Sequence, residues 1–357
     1  MAALNPFRVG MIGYGLSAKI FHIPYIQAIP SFKLQAICQR NPSNDDDAAK
    51  DHPDVTIHRT PEELIKDSEV DVVIIGTPPV THLTLTKQAL EAGKHVVVEK
   101  PFCPTAAECD ELIKCAKDND KVLTVFQNRR WDTDFLTLVE LLRHESLGRI
   151  VEFETHFDRW SPHAPQGWKG DQNPGQGVVY DLGSHLIDQV VNLFGMPKKI
   201  TGFIHRQRQP PTDLEDSCTV LLHYNGMLAI VKASVMSLQL KQLRFKVRGD
   251  SGGYKKYHLD PQEPQLKAGM KLDHPHFGRE PEEDYGILTV VDKDKEIVER
   301  RYPSLDPVTY LGFYKSLASA LLGQSPVPVE AKDARDVIYL IELARKSAQE
   351  GRTLDVE

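Results

Sequence analysis

Short apolar runs alternate with helical patterns over the first 126 residues of the chain. The apolar runs cover residues 7–13, 32–38, 70–75, 95–99 and 122–126, with a weaker one at 56–57. Between them, helical spacing fills residues 62–66, 82–92 before Gly93, and 106–119, where Thr105 stands in position to cap the helix. Strands that alternate with helices are the signature of βαβ units, so this half predicts a doubly wound parallel sheet of the nucleotide-binding type.

The rhythm changes from Trp131. A helix at 135–144 leads through Gly148 to a strand at 150–157, a long Pro-, Gly- and Trp-containing loop at 159–177 and a helix at 181–194. Strand-like runs then cluster at 200–206, 218–224, 228–234, 245–248 and 287–291, with few helices between them. That clustering predicts a mostly antiparallel sheet in an α+β domain. The polar stretch 254–284 reads as a surface excursion, and helices at 308–322 and 331–347 close the chain. At 357 residues two domains are expected, divided as 1–127 and 128–357.

Composition narrows the function classes. The chain is 41% hydrophobic and 26% charged, ordinary usage for a folded globular protein. Its formal net charge is −7, and its basic residues are scattered, so the electrostatic footprint of a nucleic-acid or anionic-membrane binder is missing. No apolar run reaches the ~18 residues of a membrane helix. Residues 1–6 lack the regions of a signal peptide, so a cytoplasmic protein is expected. The five cysteines, Cys38, Cys103, Cys109, Cys115 and Cys218, are read as reduced thiols. Six-residue steps from Cys103 to Cys115 turn a helix through about 600° and put successive sulfurs on different faces, so no metal site is expected there.

The candidate chemistry starts at Gly13-Tyr14-Gly15-Leu16-Ser17-Ala18, a G-x-G-x-x-A pattern directly after an apolar strand. Gly13 permits a tight turn, Gly15 lets phosphates approach the backbone, and Ala18 lets helix and strand pack closely. An acid after the second strand would bind the ribose 2′-hydroxyl of NAD. This chain has Cys38-Gln39-Arg40-Asn41 there, and Arg40 suits a 2′-phosphate, so NADP(H) is preferred with NAD as the alternative. Glu99-Lys100-Pro101 ends the fifth strand at the carboxyl edge of the sheet, where open α/β folds bind ligands. Asp181 and His185 stand four apart and so share one helix face.

Together, the glycine loop, Thr77-Pro78-Pro79 with His82, Glu99-Lys100-Pro101 and Asp181-x-Gly183-x-His185 resemble the Gfo/Idh/MocA family (glucose-fructose oxidoreductase, inositol dehydrogenase and rhizopine catabolism) over the whole chain. Within that family the strings at 14–17, 128–132, 156–159 and 180–185 are similar to the branch of NADP-dependent scyllo-inositol 2-dehydrogenases. The chain departs from that branch around Trp160 and at 168–170, beside the expected substrate pocket.

The resemblance implies a Rossmann domain followed by a domain with a large open sheet, whose outer face makes a homodimer or homotetramer. It implies a cofactor held by Gly13, Gly15, Leu16, Ser17, Arg40, Thr77, Pro78, His82, Glu99, Lys100 and Asn128. It further implies Lys100, Asp181 and His185 as catalytic residues, with Arg159, Trp160, Trp168 and Tyr180 toward a polyhydroxy substrate. Oxidising a secondary alcohol needs a hydride acceptor, a group that takes the hydroxyl proton and a cation beside the developing alkoxide, and these residue types supply the last two. His185 is the best base by intrinsic pKa. Two alternatives stay open: reduction of a non-sugar substrate (dihydrodiol, biliverdin or imine type) and a dinucleotide sensor without catalysis, resembling a fungal galactose-pathway repressor. The joint presence of Lys100, Asp181 and His185 speaks against the sensor.

Overall fold

The structure is a computed structural model that describes residues 5–144, 146–165 and 167–357, without the side chain of Trp168. It divides into two compact units. The first comprises Met1–Asn128, Glu263–Phe277 and Thr309–Arg335; the second comprises Arg129–Gln262, Gly278–Val308 and Asp336–Glu357. Each is thus built from three segments of chain.

The first unit holds six strands: β1 (Phe7–Ile12), β2 (Phe32–Cys38), β3 (Thr56–His58), β4 (Val72–Ile75), β5 (His95–Val98) and β6 (Leu123–Val125). All pair in parallel, in the order β3-β2-β1-β4-β5-β6. The order reverses between β1 and β4, which makes their carboxyl ends the switch point where such sheets bind ligands. All four residues of β4 are buried, as are Val96–Val98 of β5, the continuous apolar run of a sheet covered on both faces. The covering helices are α1 (Ile23–Ala28), α2 (Ala48–Asp51), α3 (Pro61–Lys66), α4 (His82–Glu91) and α5 (Ala106–Asp118). Thr60 with Glu63 and Thr105 with Glu108 form capping boxes that start α3 and α5. The returning helix Leu311–Leu321 completes this core: Phe313 meets Phe126 edge-on at 4.8 Å and Tyr314 stacks on Tyr25.

The second unit carries the strands β7 (Ile150–Asp158), β8 (Lys199–His205), β9 (Ser217–Tyr224), β10 (Met227–Ser234), β11 (Leu243–Gly249), β12 (Gly252–Tyr257), β13 (Gly286–Val291), β14 (Ile297–Tyr302) and β15 (Leu354–Asp355). Their order is β14-β13-β12-β11-β7-β10-β9-β8-β15. Every pairing is antiparallel except β7 with β10, so the sheet is mixed. Two helices of this unit matter below, α6 (Thr133–Arg143) and α7 (Ser184–Phe194).

Two sequence expectations need correction here. The stretch 254–284 is not one surface excursion, because it opens within β12, where Tyr254 and Lys256 are buried. The pattern looked polar because Lys256 is a lysine; the fold buries it by pairing its ammonium with Glu280 at 2.9 Å. The helix expected from Asp181 begins at Ser184, after a five-residue π-turn, Val179–Gly183, that contains Asp181. β14, with the sequence IVERRY, was not expected either; four of its six residues are exposed, so it carries little apolar alternation.

One face of the second sheet is buried through Phe153, Val231, Val247 and Leu288. The strand registers bring Phe203, Lys232, Lys246, Val291 and Ile297 onto the other face, where Phe203, Val291 and Ile297 are exposed. No helix among the described residues is long and apolar enough to cross a membrane, and the five cysteines are buried and free of disulfides.

Candidate functional site

In the first unit the glycine loop leaves β1 at the switch point. Gly13 has φ = +97°, and a Cβ there would stand 2.8 Å from the Gly76 carbonyl oxygen, so only glycine fits between the loop and the turn after β4. At Gly15 a Cβ would meet nothing within 4 Å, so this part of the backbone faces open space that a pyrophosphate can enter. Leu16 is exposed and Ser17 half-buried. These residues fit a dinucleotide phosphate group.

Ser17 leads to the centre of the site. Its hydroxyl donates to Glu99 Oε1. His22, fully buried in the turn after the loop, lies 3.0 Å from the same oxygen through Nε2, and its Nδ1 meets the Tyr314 hydroxyl at 2.5 Å. Glu99 Oε2 accepts the Lys100 backbone N–H at 3.0 Å. Burial opposes charge on Glu99, yet its pKa stays below the usual carboxylate range because His22, Ser17 and the Lys100 ammonium favour the anion. An ionised carboxylate only accepts, so His22 donates to Glu99 from Nε2. The loop and the lysine are therefore tied to one partly buried anion. Glu99 was named as a cofactor ligand, but its oxygens hold the chain itself together, ahead of Lys100.

The turn after β4 is braced in a similar way. Thr77 Oγ1 bonds Thr81 Oγ1 at 2.6 Å, and Pro78 O accepts the Thr81 N–H at 2.9 Å. His82 is fully buried, with Nε2 2.8 Å from Thr77 O and Nδ1 3.0 Å from Pro101 O and Phe102 O. It joins the turn at Thr77 to the segment that follows Lys100, a role the x-P-x-x-x-H spacing does not reveal. Asn128 is buried at the end of this unit, and Arg40 is exposed after β2.

The second unit places Asp181 in the π-turn and His185 in the first turn of α7. Asp181 is half-buried, 3.5 Å from Lys169 Nζ and 3.8 Å from Arg159 Nη2. His185 is buried beside the Phe157 ring. Tyr180 is buried, its carbonyl accepting the Ser184 hydroxyl at 2.6 Å, whereas Trp160 is about half exposed. The Trp168 side chain lies outside the described residues. The structure thus brings Arg159, Lys169 and Asp181 together within this unit, and Lys169 was not among the expected residues. Among the described residues no group of three or more His, Cys, Asp or Glu could hold a metal ion.

Sequence reasoning also missed His22 and Tyr314. His22 sits in an apolar string, Ile20-Phe21-His22-Ile23-Pro24, which marks it only as a polar residue in a buried run. Tyr314 lies 292 residues away, with no local signal.

Known proteins share the sequence pattern and the fold of this chain. Residues 7–127 match the model of the oxidoreductase family's NAD-binding Rossmann fold, and residues 139–356 match that of its C-terminal alpha/beta domain. An uncharacterised oxidoreductase of Escherichia coli strain K12, YdgJ, is 40% identical, with 97% of this chain and 98% of that protein covered. The scyllo-inositol 2-dehydrogenase (NADP(+)) IolW of Bacillus subtilis strain 168 is 33% identical, with 99% and 97% covered. The solved structure of the Bacillus subtilis oxidoreductase yvaA superposes with a TM-score of 0.93 at 33% identity, covering 99% of each chain. With both family models matched in sequence along nearly the whole chain, and the glycine loop and Lys100 at the switch edge of the sheet, the protein belongs to the Gfo/Idh/MocA family of oxidoreductases.

Proposed function

We propose that this enzyme transfers a hydride between NADP(H) and a secondary alcohol or carbonyl of a sugar, inositol or similar polyhydroxy compound. The observation that carries the reading is the Glu99 anion, which ties the phosphate loop to Lys100 at the switch edge of the sheet. When bound, the nicotinamide supplies or accepts the hydride. Gly13, Gly15, Leu16 and Ser17 hold the phosphates, Arg40 the 2′-phosphate, and Thr77, Pro78 and Asn128 border the rest of the dinucleotide. Lys100 stabilises negative charge developing on the substrate oxygen, a cation acting where charge appears in the transition state. Either His185 or Lys100 moves the hydroxyl proton, and Asp181 orients His185 or holds a neighbouring hydroxyl. Arg159, Trp160, Trp168 and Tyr180 shape the substrate side. The name of the Bacillus subtilis relative supports both the cofactor and the polyol class.

The same reading makes the protein a cytoplasmic homodimer or homotetramer, because the exposed apolar residues of the second sheet's outer face call for cover and two-fold pairing is the commonest solution. NADPH should bind at least about tenfold tighter than NADH in a fluorescence titration, about 1.4 kcal/mol. Turnover should appear within a panel of polyols and ketoses. Equal affinities overturn the cofactor assignment, and NADPH binding without turnover of any compound favours the dinucleotide sensor.

A further inference from the structure

The tips of β2 and β3 carry a second feature that no motif marked. Strands β2 and β3 run side by side to their carboxyl ends, where Cys38 pairs with His58 and the Gln39 N–H donates to His58 O at 3.1 Å. The next residue on each strand tip is an arginine or leads to one: Arg59 follows His58, and Arg40 follows Gln39. Arg59 folds back so that Nη1 donates to Gln39 O at 3.1 Å. That carbonyl belongs to the peptide bond joining Gln39 to Arg40, so the Arg59 guanidinium rests against the peptide unit that carries Arg40. Both charges also reach one probe group. Burial, with Glu63 and Glu62, pushes the Cys38 thiol up to about 11, while Arg40 and Arg59 both pull it down.

Neither arginine has an ion-pair partner among the described residues, although the surrounding chain is acidic. Four of the nearby carboxylates are committed elsewhere. Asp46 pairs with Lys19 at 2.5 Å, Asp51 accepts from the Tyr14 hydroxyl, Asp47 caps α2, and Glu63 accepts the backbone N–H groups of Arg59 and Thr60. Gln39 is likewise spent, its buried amide bonding Asp46 O and Ala48 N. The position at which an NAD-type acid would read the ribose is thus a structural pin, and two uncompensated guanidiniums stand beside it.

We propose that Arg59 joins Arg40 to grip the 2′-phosphate of NADP(H) between guanidinium groups from two adjacent strand tips. The inference rests on the reading of the protein as an NADP(H) enzyme and adds to it a specificity residue on β3. A planar guanidinium presents paired donors that match phosphate oxygens, and a phosphate dianion neutralises two of them. The Arg59 bond to Gln39 O fixes one donor of the fork, so the group is held in place before the ligand arrives, which reduces the entropy lost on binding.

The test is equilibrium binding, which needs no substrate. NADPH, NADH, 2′-AMP and 5′-AMP are titrated by fluorescence or calorimetry against the wild type, Arg40→Gln, Arg59→Gln and Arg59→Lys. The expected result is a five- to tenfold loss of NADPH and 2′-AMP affinity in Arg59→Gln, with NADH and 5′-AMP changed less than about twofold. Arg59→Lys should fall between, keeping the charge without the fork, and it serves as the readout should Arg59→Gln not fold. If Arg40→Gln narrows the NADPH preference and neither Arg59 variant does, the two-arginine grip is wrong and the NADP(H) reading stands. If the wild type itself binds NADPH and NADH equally, that reading fails and the grip with it.

Discussion

The two units bury charge in different ways. In the first, the charges withdrawn from water lie at the rims of the sheet: at the carboxyl end Glu99 takes bonds from Ser17, His22 and the Lys100 backbone, at the amino end Lys94 donates to the carbonyls of Asp67 and Val70, and the strands between stay apolar. In the second, charge lies within the core itself. Arg244 is 1% exposed and donates through Nε to Asp134 at 2.7 Å, through Nη1 to Thr155 and through Nη2 to Gln189. Arg130 bonds both oxygens of Asp188, Arg129 pairs with Asp132, and Asp260 accepts the N–H groups of Thr133 and Gln262. The second network fastens α6 and α7 to the sheet through long-range bonds. Buried charge therefore sits at the rims of the sheet in one unit and inside a structural joint in the other, and burial alone does not tell what it does.

Removing one member of the structural joint should give the largest effect. Arg244→Leu leaves Asp134 buried without its cation and should cost about 3–5 kcal/mol of stability, read from urea unfolding. A loss below about 1 kcal/mol would mean that the network is not what holds these helices. For the residues proposed to act in the chemistry, the expected effect is on rate. Lys100→Met and His185→Ala should each lower kcat by about 10² or more, with NADPH affinity changed far less. Near-normal turnover in either variant removes that residue from the chemistry.

His22 tests the border between the two kinds of buried charge. His22→Leu deletes a hydrogen bond to a charged carboxylate, worth about 1.5–3 kcal/mol. Because Ser17 and Lys100 share that carboxylate, the variant should weaken NADPH binding and slow turnover as well as lower the melting temperature. A fall in melting temperature alone would make His22 a packing residue only.

The smallest effect is a pH dependence of the second unit. The carboxylates of Asp132, Asp134 and Asp260 share a buried region with the guanidiniums of Arg129 and Arg244. Burial, together with Asp134 and against Arg129 and Arg244, raises Asp132 to about 7, and burial beside Asp132 and Asp134 raises Asp260 as well. An aspartate in the unfolded chain titrates near ~3.9. The folded state thus holds its proton more tightly; the contribution is full below about pH 4 and is lost as the pH rises through about 7. Between pH 5.5 and 7.5 the wild type should lose on the order of 1 kcal/mol relative to Asp132→Asn, compared by urea unfolding at each pH. Parallel curves for the two proteins would show that Asp132 keeps no proton in this range.

How much of this was legible in the sequence follows from where the determining forces act. The alternation of strands and helices in the first unit, the capping at Thr105, the turn at Gly13 and the placing of Lys100 after β5 depend on side-chain period and local backbone chemistry, which a short stretch of sequence carries by itself. The same holds for His185 in the first turn of α7, whereas Asp181 falls in the π-turn ahead of that helix, which the four-residue spacing did not reveal. The partners of these residues do not follow. Glu99 is bonded by His22, and His22 by a tyrosine 292 residues on; Lys256 reads as a surface lysine until Glu280 neutralises it; Arg244 meets Asp134 across 110 residues. The parallel pairing of β7 with β10, and the return of the helix Leu311–Leu321 to the first unit, belong to the same class. Such contacts are settled by which apolar faces must be buried together and which buried charges must then find counter-charges. Those conditions bind residues far apart in the chain, and only the tertiary structure satisfies them.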